Sequence, residues 1–446
     1  MRRLRGMRAL SPARIGSELD ALAGAAGRTA FLAGVGGCGL RGIADFLLAA
    51  GWQVWGSDAG GLASNDPLIR AGLQPVEDGQ APPAVSLCVR SAAVPAQHTG
   101  MVQALEQGAR GLLYAEMLGE ISKLRPVLAV AGSHGKSTTT AWMAWALREA
   151  GVEVGFLVGA GIPQLGRSAD WGDPALPLLL ESCEYARSFH HLHPARVALL
   201  NVDAEHPDTY PGGLPEVLEA FEHFLRQTRA DGWIDAGPEA PAALAEGLSV
   251  PWNHAPPVPQ DWKLGLPGEH NRRNAAVVAA VLRSFGLDEA QVRHGLAGFR
   301  GAARRLEEVG QWRGATLVSD YAHHPVEVAA TLQAARERWP EARMHAVFQP
   351  HQAQRFHAYR EQFAPSLDEA DALILLEIYR ARDPEELQAS VAELKPELRG
   401  RQPRRPLCLA RDFDAATQAL CEEVREGDLI LFLGAGDVDR FARRLR

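Results

Sequence analysis

One stretch, in which an apolar run meets a glycine turn and then a helix, limits the folds open to this chain more than any other. Residues 127–145 read VLAVAGSHGKSTTTAWMAW. The run Val127–Ala131 predicts a buried strand, and the apolar residues that recur after Lys136 predict a helix that is capped by Gly151. A strand, a glycine turn, Lys-Ser and a helix in this order are typical of a phosphate-binding loop in an α/β protein.

The chemistry of such a loop needs these residue types. Backbone N–H groups at the helix start face the anion, the lysine contacts the outer phosphates, and the Ser137 hydroxyl can ligate Mg²⁺. The usual spacing would place glycine at position 130, where Val130 stands, and the alternative is an ordinary turn with a surface lysine. We favour phosphate binding because motif and context agree. The predicted phosphate-site residues are Gly132, Ser133, His134, Gly135, Lys136, Ser137 and Thr138.

Composition narrows the class of protein. A chain of 446 residues is too long for one core and predicts two to four domains. A net charge of −8 argues against nucleic acid as the main partner. No apolar run approaches the roughly 18 residues of a membrane span, so we expect no membrane insertion. The N-terminus is arginine-rich, which is typical of a transit peptide or, as we prefer, of a frayed start before a short helix near Ser17–Ala25.

The cysteines favour a reducing compartment, and we predict a cytoplasmic protein. Five cysteines are scattered, odd in number and without CxxC spacing, which argues against structural zinc.

Three clustered histidines have no metal-ligand spacing either, and we interpret them as surface or substrate-facing residues. They are His190, His191 and His193.

A second glycine-rich turn lies near the start of the chain. The strand Thr29–Leu32 leads into Gly34–Gly39, which spells GxGxxG, and a helix over Ile43–Ala50 follows. The next strand, Gln53–Gly56, ends close to Asp58, where a ribose-binding carboxylate would stand in a dinucleotide site. A UDP-sugar also presents a diphosphate to such a loop, so both ligands remain open. The alternative for Asp58 is a turn residue at a strand end.

Polar residues at two later strand ends predict a metal site beside the phosphate loop. Glu181 follows the apolar run Leu176–Leu180, and a carboxylate in that place is a common anchor for Mg²⁺. Its alternatives are a helix cap or a surface carboxylate. His206 follows the strand Arg196–Asn201, and a lone histidine is more often structural than a ligand.

Two amides predict recognition of a base. Asn271 and Asn274 are three residues apart on a starting helix, so both lie on one face, where they can read an adenine edge. The alternative for Asn271 is a helix cap. Between residues 231 and 262 the chain is rich in proline, alanine and glycine, which predicts a loop-rich excursion before this helix.

The last third of the chain alternates strands and helices again, which predicts a mostly parallel sheet with helical crossovers. Its polar motifs stand at strand ends, where sites on parallel sheets are expected. The predicted strands are Thr316–Ser319, Arg343–Phe348, Ala370–Glu377, Leu407–Leu409 and Leu429–Leu433.

Taken together, these motifs resemble those of the Mur ligases, the ATP-dependent amide-forming enzymes of peptidoglycan biosynthesis. The similarity extends over nearly the whole chain, with motifs in the same order. The runs that carry it are Gly56–Asp58, Gly132–Thr140, Gly268–Asn274, Asp320–Pro325, Phe348–Arg355 and Gly434–Gly436.

The resemblance implies three α/β domains and one reaction. They are a Rossmann-like UDP-sugar domain over residues 1–125, a central ATP-binding P-loop domain over 126–299, and a Rossmann-like amino-acid domain over 300–446. The nearest members of the family join L-alanine to the carboxylate of UDP-N-acetylmuramate through an acyl phosphate, with ATP as co-substrate and Mg²⁺ or Mn²⁺ as cofactor. The implied form is a monomer or a weak homodimer.

The resemblance also implies roles for single residues. The implied catalytic residues are Lys136, His206 and His324, with His206 or His324 as the base. The implied metal ligands are Ser137 or Thr138, Glu181 and His206. Besides the phosphate loop, the implied ATP-binding residues are Asn271, Asn274, Arg305 and Asp320. The implied UDP-sugar residues are Gly34, Gly36, Gly37, Gly39, Asp58 and Ser91. The implied amino-acid residues are Tyr321, His351 and Arg355.

Some residues depart from the family pattern and keep alternatives open. Arg90 replaces a serine of a Ser-Ser-Ala turn, and the run Arg380–Arg382 replaces an Ala-Gly-Glu type of run, which leaves the amino-acid preference open. The run Glu181–Tyr185 is close to that of the recycling ligase that attaches a ready-made tripeptide. Outside the family, an NAD-binding oxidoreductase would explain only Gly34–Asp58, and a non-enzymatic P-loop module would not need a sugar-diphosphate domain.

Overall fold

The structure is a computed structural model. It describes residues 22, 27–80, 82, 84–380, 383 and 387–446. The short helix predicted near Ser17–Ala25 lies, except for Leu22, outside the described residues, and so do Ala381 and Arg382 of the departing run.

The described residues form three sheets flanked by helices, which confirms the predicted α/β class with three sheet-containing regions. In chain order the strands are β1 Thr29–Ala33, β2 Gln53–Ser57, β3 Gln74–Pro75, β4 Leu87–Arg90, β5 Arg110–Leu113, β6 Val127–Ala131, β7 Gly155–Ile162, β8 Arg167–Asp170, β9 Leu178–Glu181, β10 Arg196–Asn201, β11 Trp233–Glu239, β12 Trp252–His254, β13 Glu307–Trp312, β14 Ala315–Asp320, β15 Met344–Phe348, β16 Ala372–Leu376, β17 Leu407–Ala410 and β18 Leu429–Leu433.

Helices connect most of these strands. They are α1 Cys38–Ala49, α2 Pro67–Arg70, α3 Thr99–Glu106, α4 Tyr114–Leu124, α5 Lys136–Glu149, α6 Leu214–Arg226, α7 Glu269–Ser284, α8 Glu289–Gly298, α9 Pro325–Arg338, α10 Ala353–Ser366, α11 Lys395–Arg401, α12 Phe413–Glu423 and α13 Val438–Leu445, with 3₁₀ turns at Tyr185–His191, Ala242–Ala245 and Val391–Leu394. Within this described part of the chain, no helix combines the length and the hydropathy that crossing a bilayer requires.

The first sheet has the order β3-β2-β1-β4-β5 and is parallel throughout. Strand β1 lies between β2 and β4, so the chain order reverses beside it. A crevice opens at such a switch point, outside the carboxyl ends of the strands. The loop Gly34–Gly39 starts there.

The second sheet has the order β12-β11-β10-β6-β9-β7-β8, with only β7 and β8 antiparallel. Strand β6 is fully buried between β10 and β9, as its continuous apolar run requires in a sheet covered on both faces. Its carboxyl end therefore brings the phosphate loop beside the ends of β9 and β10.

The third sheet has the order β13-β14-β18-β15-β16-β17, and only its edge strand β13 is antiparallel. Strands β15, β16 and β18 are buried along their whole length. The sequence predicted the five strands β14–β18 to within a few residues but missed β13, because only Val309 of its 6 residues is buried and the strand has no apolar run.

The excursion predicted between residues 231 and 262 is partly wrong. Strands β11 and β12 both lie there and extend the second sheet in parallel with β10. Proline and glycine misled the prediction because Pro238 stands at the exposed end of β11, where a missing N–H costs little.

The chain forms two compact units. One comprises the described residues of Met1–Asp203 together with Val217–Lys263 and Arg273–Arg300, and it contains the first two sheets. The other comprises Ala204–Glu216, Leu264–Arg272 and Gly301–Arg446, and it contains the third sheet. Within the first unit, helix α1 packs on β7 and β8, and the Ser168 hydroxyl lies 3.1 Å from the Asp45 carboxylate.

Candidate functional site

The glycine-rich loop after β1 is held by backbone contacts and by one carboxylate. The N–H groups of Gly34 and Val35 donate to the Ser57 carbonyl at 2.8 and 3.0 Å. The Gly36 N–H donates to Asp58 at 2.9 Å. A Cβ at Gly36 would lie 2.6 Å from that carboxylate, so glycine is required for the close approach. The structure thus brings Gly36 and Asp58 together, as the motif predicts.

The other residues predicted to bind the UDP-sugar lie close to this loop. Gly34 has φ +88°, and a Cβ there would meet Val94 and Ser91 of the turn after β4. Gly37 precedes helix α1, and Gly39 packs against the ring of Tyr114.

Arg90, which replaces a serine of the family's Ser-Ser-Ala turn, stabilises that turn. Its guanidinium donates to the Val94 carbonyl at 2.7 Å. The substitution therefore leaves the backbone turn beside Gly34 in place.

The phosphate loop after β6 is anchored to the end of β10. The Ser133 N–H donates to the Asn201 carbonyl, and the His134 N–H donates to the Asn201 side-chain oxygen at 2.9 Å. Ser133 and the backbone of Asp203 exchange hydrogen bonds at 2.8 and 3.1 Å. No pattern in the sequence indicates the role of Asn201, because a strand-end asparagine is common in turns.

One of the two predicted amides lies against this loop. A Cβ at Gly135, which has φ +84°, would lie 2.9 Å from the Asn274 amide oxygen. Asn271 belongs to the other compact unit, where its amide nitrogen donates to the Pro267 carbonyl at 2.7 Å. The shared role of the two amides in reading adenine stays a prediction.

The Lys136 side chain folds back over the phosphate loop. Its ammonium donates to the carbonyls of Gly132 at 2.6 Å and Ser133 at 2.9 Å, and it forms an ion pair with Glu184 at 2.8 Å. The lysine side chain is 11% exposed and the Glu184 side chain is 0% exposed. Burial opposes the charged lysine, but the Glu184 carboxylate outweighs it and raises the pKa of Lys136.

Ser137 has its own carboxylate partner. Its hydroxyl donates to Glu181 at 2.7 Å, and the second oxygen of Glu181 accepts the Gly159 N–H at 2.7 Å. A hydroxyl and a carboxylate at this distance are the oxygen ligands that Mg²⁺ prefers. Two of the three predicted metal ligands therefore lie side by side within the first unit. His206 belongs to the second unit, so its part in the set stays a prediction.

Between the two carboxylates lies Cys183. Burial, with Glu184 next to it, raises the pKa of its thiol to about 12, so the thiol stays neutral.

Of the predicted histidine cluster, His190 stacks on Phe189 and hydrogen bonds to the Ala220 carbonyl at 2.9 Å, which is a structural role.

In the second unit, Arg355 is at the centre of a buried polar cluster. The Arg355 side chain is 3% exposed and pairs with Glu205, 5% exposed, at 3.2 Å. Its guanidinium also lies 3.4 Å from His206 Nδ1 and 3.4 Å from His351 Nδ1. The structure therefore brings two of the predicted amino-acid residues together with a predicted metal ligand. The sequence did not single out Glu205 as a partner of the arginine.

Arg355 affects the ionisation states of Glu205 and His323 in this cluster. Although burial opposes ionisation, Arg355 holds the pKa of Glu205 well below its usual range. Burial and then Arg355 lower the pKa of His323 to about 3, so that imidazole is neutral near pH 7.

The predicted base His324 begins helix α9. It is buried, its Nδ1 accepts the Val326 N–H at 3.4 Å, and its ring meets Tyr359 edge-on at 4.5 Å. This is a capping geometry, and a role as base stays a prediction.

Three further predicted residues lie at the end of β14. Tyr321 lies between two guanidinium groups, 4.7 Å from that of Arg304 and 5.1 Å from that of Arg305. Asp320 accepts the backbone N–H groups of Leu306 at 2.7 Å and Ala322 at 2.8 Å, and burial raises its pKa. One oxygen of Asp320 therefore holds the segment that presents Arg305, and the other holds the turn that follows β14.

The fold and these loops define the class of protein. A family model described as "Mur ligase family, catalytic domain" matches residues 32–125, and one described as "Mur ligase, glutamate ligase domain" matches residues 304–436. The chain belongs to the Mur ligase family, as the sequence motifs predict.

Two relatives narrow the comparison. A UDP-N-acetylmuramate–L-alanine ligase of Roseiflexus castenholzii is 34% identical, over 91% of this chain and 94% of the relative. One of Renibacterium salmoninarum is 35% identical, over 92% of this chain and 94% of the relative.

Solved structures agree on the fold. The UDP-N-acetylmuramate-alanine ligase MurC of Thermotoga maritima has a TM-score of 0.75 at 22% identity, over 94% of this chain and 98% of that one. A murein peptide ligase of Psychrobacter arcticus has a TM-score of 0.70 at 24% identity, with the same coverage. At these identities the two structures show a shared architecture and do not separate the two activities.

Proposed function

We propose that this chain is an ATP-dependent ligase that joins L-alanine to the carboxylate of UDP-N-acetylmuramate and releases ADP and phosphate. The observation that carries the proposal is whole-chain similarity to relatives named for this reaction, at 33–35% identity over 91–92% of this chain. The phosphate loop with its lysine supports the use of ATP.

The chemistry requires activation of a carboxylate. Carboxylate oxygens are poor leaving groups, so an amine does not displace them directly. A carboxylate oxygen that attacks the γ-phosphorus of ATP forms an acyl phosphate and releases ADP. The amine of alanine then attacks the carbonyl carbon, the C–O bond to phosphate breaks, and phosphate leaves. We propose that Lys136 stabilises charge on the transferring phosphoryl group, and its position over the phosphate loop supports this.

The Ser137–Glu181 pair fits a divalent cation, and we propose Mg²⁺, or Mn²⁺ in its place, with His206 as a third ligand. The hydroxyl and the carboxylate already lie 2.7 Å apart beside the phosphate loop. When bound, the ion would neutralise charge on the phosphate oxygens. The chain's own part is to hold the Ser137 hydroxyl in the first turn of α5 and the Glu181 carboxylate at the end of β9, where the Gly159 N–H fixes the carboxylate.

For the amino acid, we propose that Arg355, with His351 and Tyr321 near by, receives the alanine carboxylate. A guanidinium matches a carboxylate in a fork geometry. The attacking amine must lose a proton, and His206 or His324 is proposed as its acceptor. The Nδ1 atom of His206 lies 3.4 Å from the Arg355 guanidinium, so its other nitrogen can serve either the metal or the proton, and His324 is the base if His206 ligates the metal.

The remaining assignments follow the sheets. The UDP-sugar is proposed to bind the loop Gly34–Gly39 with Asp58 and Ser91, and ATP to bind the phosphate loop with Asn271, Asn274, Arg305 and Asp320. The proposed boundaries of the three domains are 1–125, 126–299 and 300–446. We further propose a cytoplasmic monomer or weak homodimer.

A second ligase activity has a specific observation in its favour. The run Glu181–Tyr185 resembles that of the ligase that recycles a ready-made tripeptide. The sequence relatives favour the single amino acid. Because 91% of this chain matches a Mur ligase, the Gly34–Gly39 loop is no longer an argument for an oxidoreductase.

The test is phosphate release from MgATP in the presence of UDP-N-acetylmuramate. We expect release that requires L-alanine, with glycine and L-serine as competitors to measure the preference. Release with the tripeptide L-alanyl-γ-D-glutamyl-meso-diaminopimelate but not with L-alanine would assign the recycling activity instead. Release with neither would refute both ligase assignments.

A further inference from the structure

Two carboxylates from one short segment meet two consecutive residues of the phosphate loop. Glu181 ends strand β9 and accepts the Ser137 hydroxyl at 2.7 Å. Glu184, three residues later, forms an ion pair with Lys136 at 2.8 Å and a hydrogen bond at 3.1 Å. Glu181 therefore binds the Ser137 hydroxyl, and Glu184 binds the Lys136 ammonium.

The placement of Glu184 is not that of a surface carboxylate. Its side chain is 0% exposed, and the burial of a carboxylate is unfavourable unless a charged partner offsets the loss of hydration. The segment that follows also adopts a costly backbone, since Ala186 and Arg187 have φ of +50° and +54°. Non-glycine residues in this conformation persist only where the surrounding structure holds them.

The geometry of Lys136 shows what this carboxylate can do. An ammonium group has three N–H donors. In the structure they meet the carbonyls of Gly132 and Ser133 and the carboxylate of Glu184. The two carbonyls are neutral and belong to the loop itself, so they are the weaker contacts. A phosphate can take one of those donors while Glu184 keeps the side chain aimed across the loop.

We propose that Glu184 is a positioning residue of the ligase reaction, which fixes the Lys136 ammonium over the phosphate loop so that it meets the phosphoryl group in transfer. The inference rests on the proposed use of ATP. Glu184 acts through Lys136 and does not itself touch the substrate. A displacement of a catalytic group by about 1 Å can cost about 10²-fold in rate, so a side chain that fixes it is functionally important.

The first test is steady-state kinetics of Glu184→Gln, which keeps the size and removes the charge. We expect kcat to fall about 10- to 100-fold. The KM for ATP should change less than about threefold, because the backbone N–H groups still bind the phosphates. An unchanged kcat, or an effect confined to a higher KM for ATP, would overturn the proposal.

Two matched variants separate this role from others. Glu181→Gln, on the same segment, is expected to lose activity that added Mg²⁺ partly restores, whereas added Mg²⁺ should not restore Glu184→Gln. Glu222→Gln removes a carboxylate from the exposed pair with Arg226 and should leave the kinetics unchanged. Restoration of Glu184→Gln by Mg²⁺ would transfer Glu184 to the metal site and overturn the role assigned here.

A second test needs no activity. The chain has four lysines, of which Lys123, Lys263 and Lys395 are exposed and serve as internal references for Lys136. We expect an amine-acylating reagent, followed by peptide mass spectrometry, to label Lys136 slowest in the parent and several-fold faster in Glu184→Gln. Equal Lys136 labelling in the two proteins would overturn the proposal. This readout is independent of the ligase assay, so its failure and failure of the proposed function are distinguishable.

If Glu184→Gln does not fold, Glu184→Asp provides the same measurements. Aspartate keeps the charge but is one methylene shorter, so the ammonium should be displaced and kcat reduced, with Lys136 still protected from acylation. Parent-like kcat in Glu184→Asp would overturn the positioning role.

Discussion

Each compact unit contains a buried cation that the chain's own carboxylate holds. In the first unit Lys136 pairs with Glu184 at 2.8 Å, and in the second Arg355 pairs with Glu205 at 3.2 Å. Both cations stand where the sequence motifs predict an anionic group of a substrate. Each internal carboxylate offsets the cost of burying its cation, raises the pKa of that cation and holds it in place.

The two pairs differ in how many donors remain. In the structure the three donors of Lys136 already have acceptors, so a phosphate must replace a backbone carbonyl. Arg355 has five donors, and its buried Nε is without a hydrogen-bond partner among the described residues. Arg355 can therefore keep Glu205 while it receives another carboxylate. On the proposed assignments, Lys136 would bind a phosphate by exchange of a contact, and Arg355 would bind a carboxylate by addition of one.

The largest effect is expected at the lysine. Lys136→Ala should reduce turnover by more than about 10²- to 10³-fold, because it removes the charge that stabilises the transferring phosphoryl group. Binding of UDP-N-acetylmuramate, measured by calorimetry, should survive, since the first sheet is unchanged. Turnover equal to the parent would refute the phosphate-loop assignment. As a control for the stranded Glu184 carboxylate, Lys136→Ala/Glu184→Gln should be equally inactive but more stable.

The next effect tests the arginine. Arg355→Ala should raise the KM for L-alanine about 10- to 100-fold, which is the loss of a charged hydrogen bond, and should change the KM for ATP less. Arg355→Lys preserves the charge that faces Glu205 but lacks Nε, so it should show a smaller rise in the alanine KM. If the KM for ATP rises more than that for alanine, Arg355 does not belong to the amino-acid site.

A third carboxylate extends the comparison to a loop without a cation. Asp58 accepts the Gly36 N–H in the first sheet, and a Cβ at Gly36 would lie 2.6 Å from it. Gly36→Ala should raise the KM for UDP-N-acetylmuramate about tenfold and leave that for ATP unchanged, because a displaced loop presents its N–H groups poorly. Gly400→Ala, where a Cβ meets nothing within 4 Å, is the matched control. An unchanged sugar KM in Gly36→Ala would remove this loop from the sugar site.

The smallest effect concerns stability and pH. The pKa of His323 is lowered to about 3 by burial and by Arg355, below its ordinary value of 6.5. The folded state therefore binds fewer protons than the unfolded chain between these values. The contribution of the neutral His323 imidazole to the free energy of unfolding is complete above pH 6.5. It decreases as the pH falls below that value, by about 1.4 kcal/mol per pH unit. Denaturant unfolding at pH 7 and pH 5 should show a smaller loss for His323→Asn than for the parent. An equal loss would contradict the neutral state of His323.

The sequence predicted the fold well where a pattern is local. The strand–turn–helix units around Gly34–Gly39 and Gly132–Ser137 and the alternation of the last third each follow from short-range periodicity, and the structure contains all of them. The pairs Gly36–Asp58 and Ser137–Glu181 could also be foreseen, because parallel strand ends meet at one edge of a sheet.

The partners of the two cations could not be predicted in the same way. Glu184 follows Glu181 by three residues in an irregular segment, whose positive φ angles no pattern announces. Glu205 and Arg355 are 150 positions apart, so only the tertiary fold brings them together. Asp320 was predicted as an ATP ligand, yet its oxygens accept backbone N–H groups, a use that sequence spacing does not reveal.

The most direct test of the proposed ligase chemistry follows one oxygen atom. UDP-N-acetylmuramate labelled with ¹⁸O in its carboxylate is turned over with MgATP and L-alanine, and the released phosphate is analysed by mass spectrometry. If ATP activates that carboxylate as an acyl phosphate, each phosphate carries one ¹⁸O from the sugar. Phosphate free of ¹⁸O, with alanine-dependent turnover intact, would contradict that account.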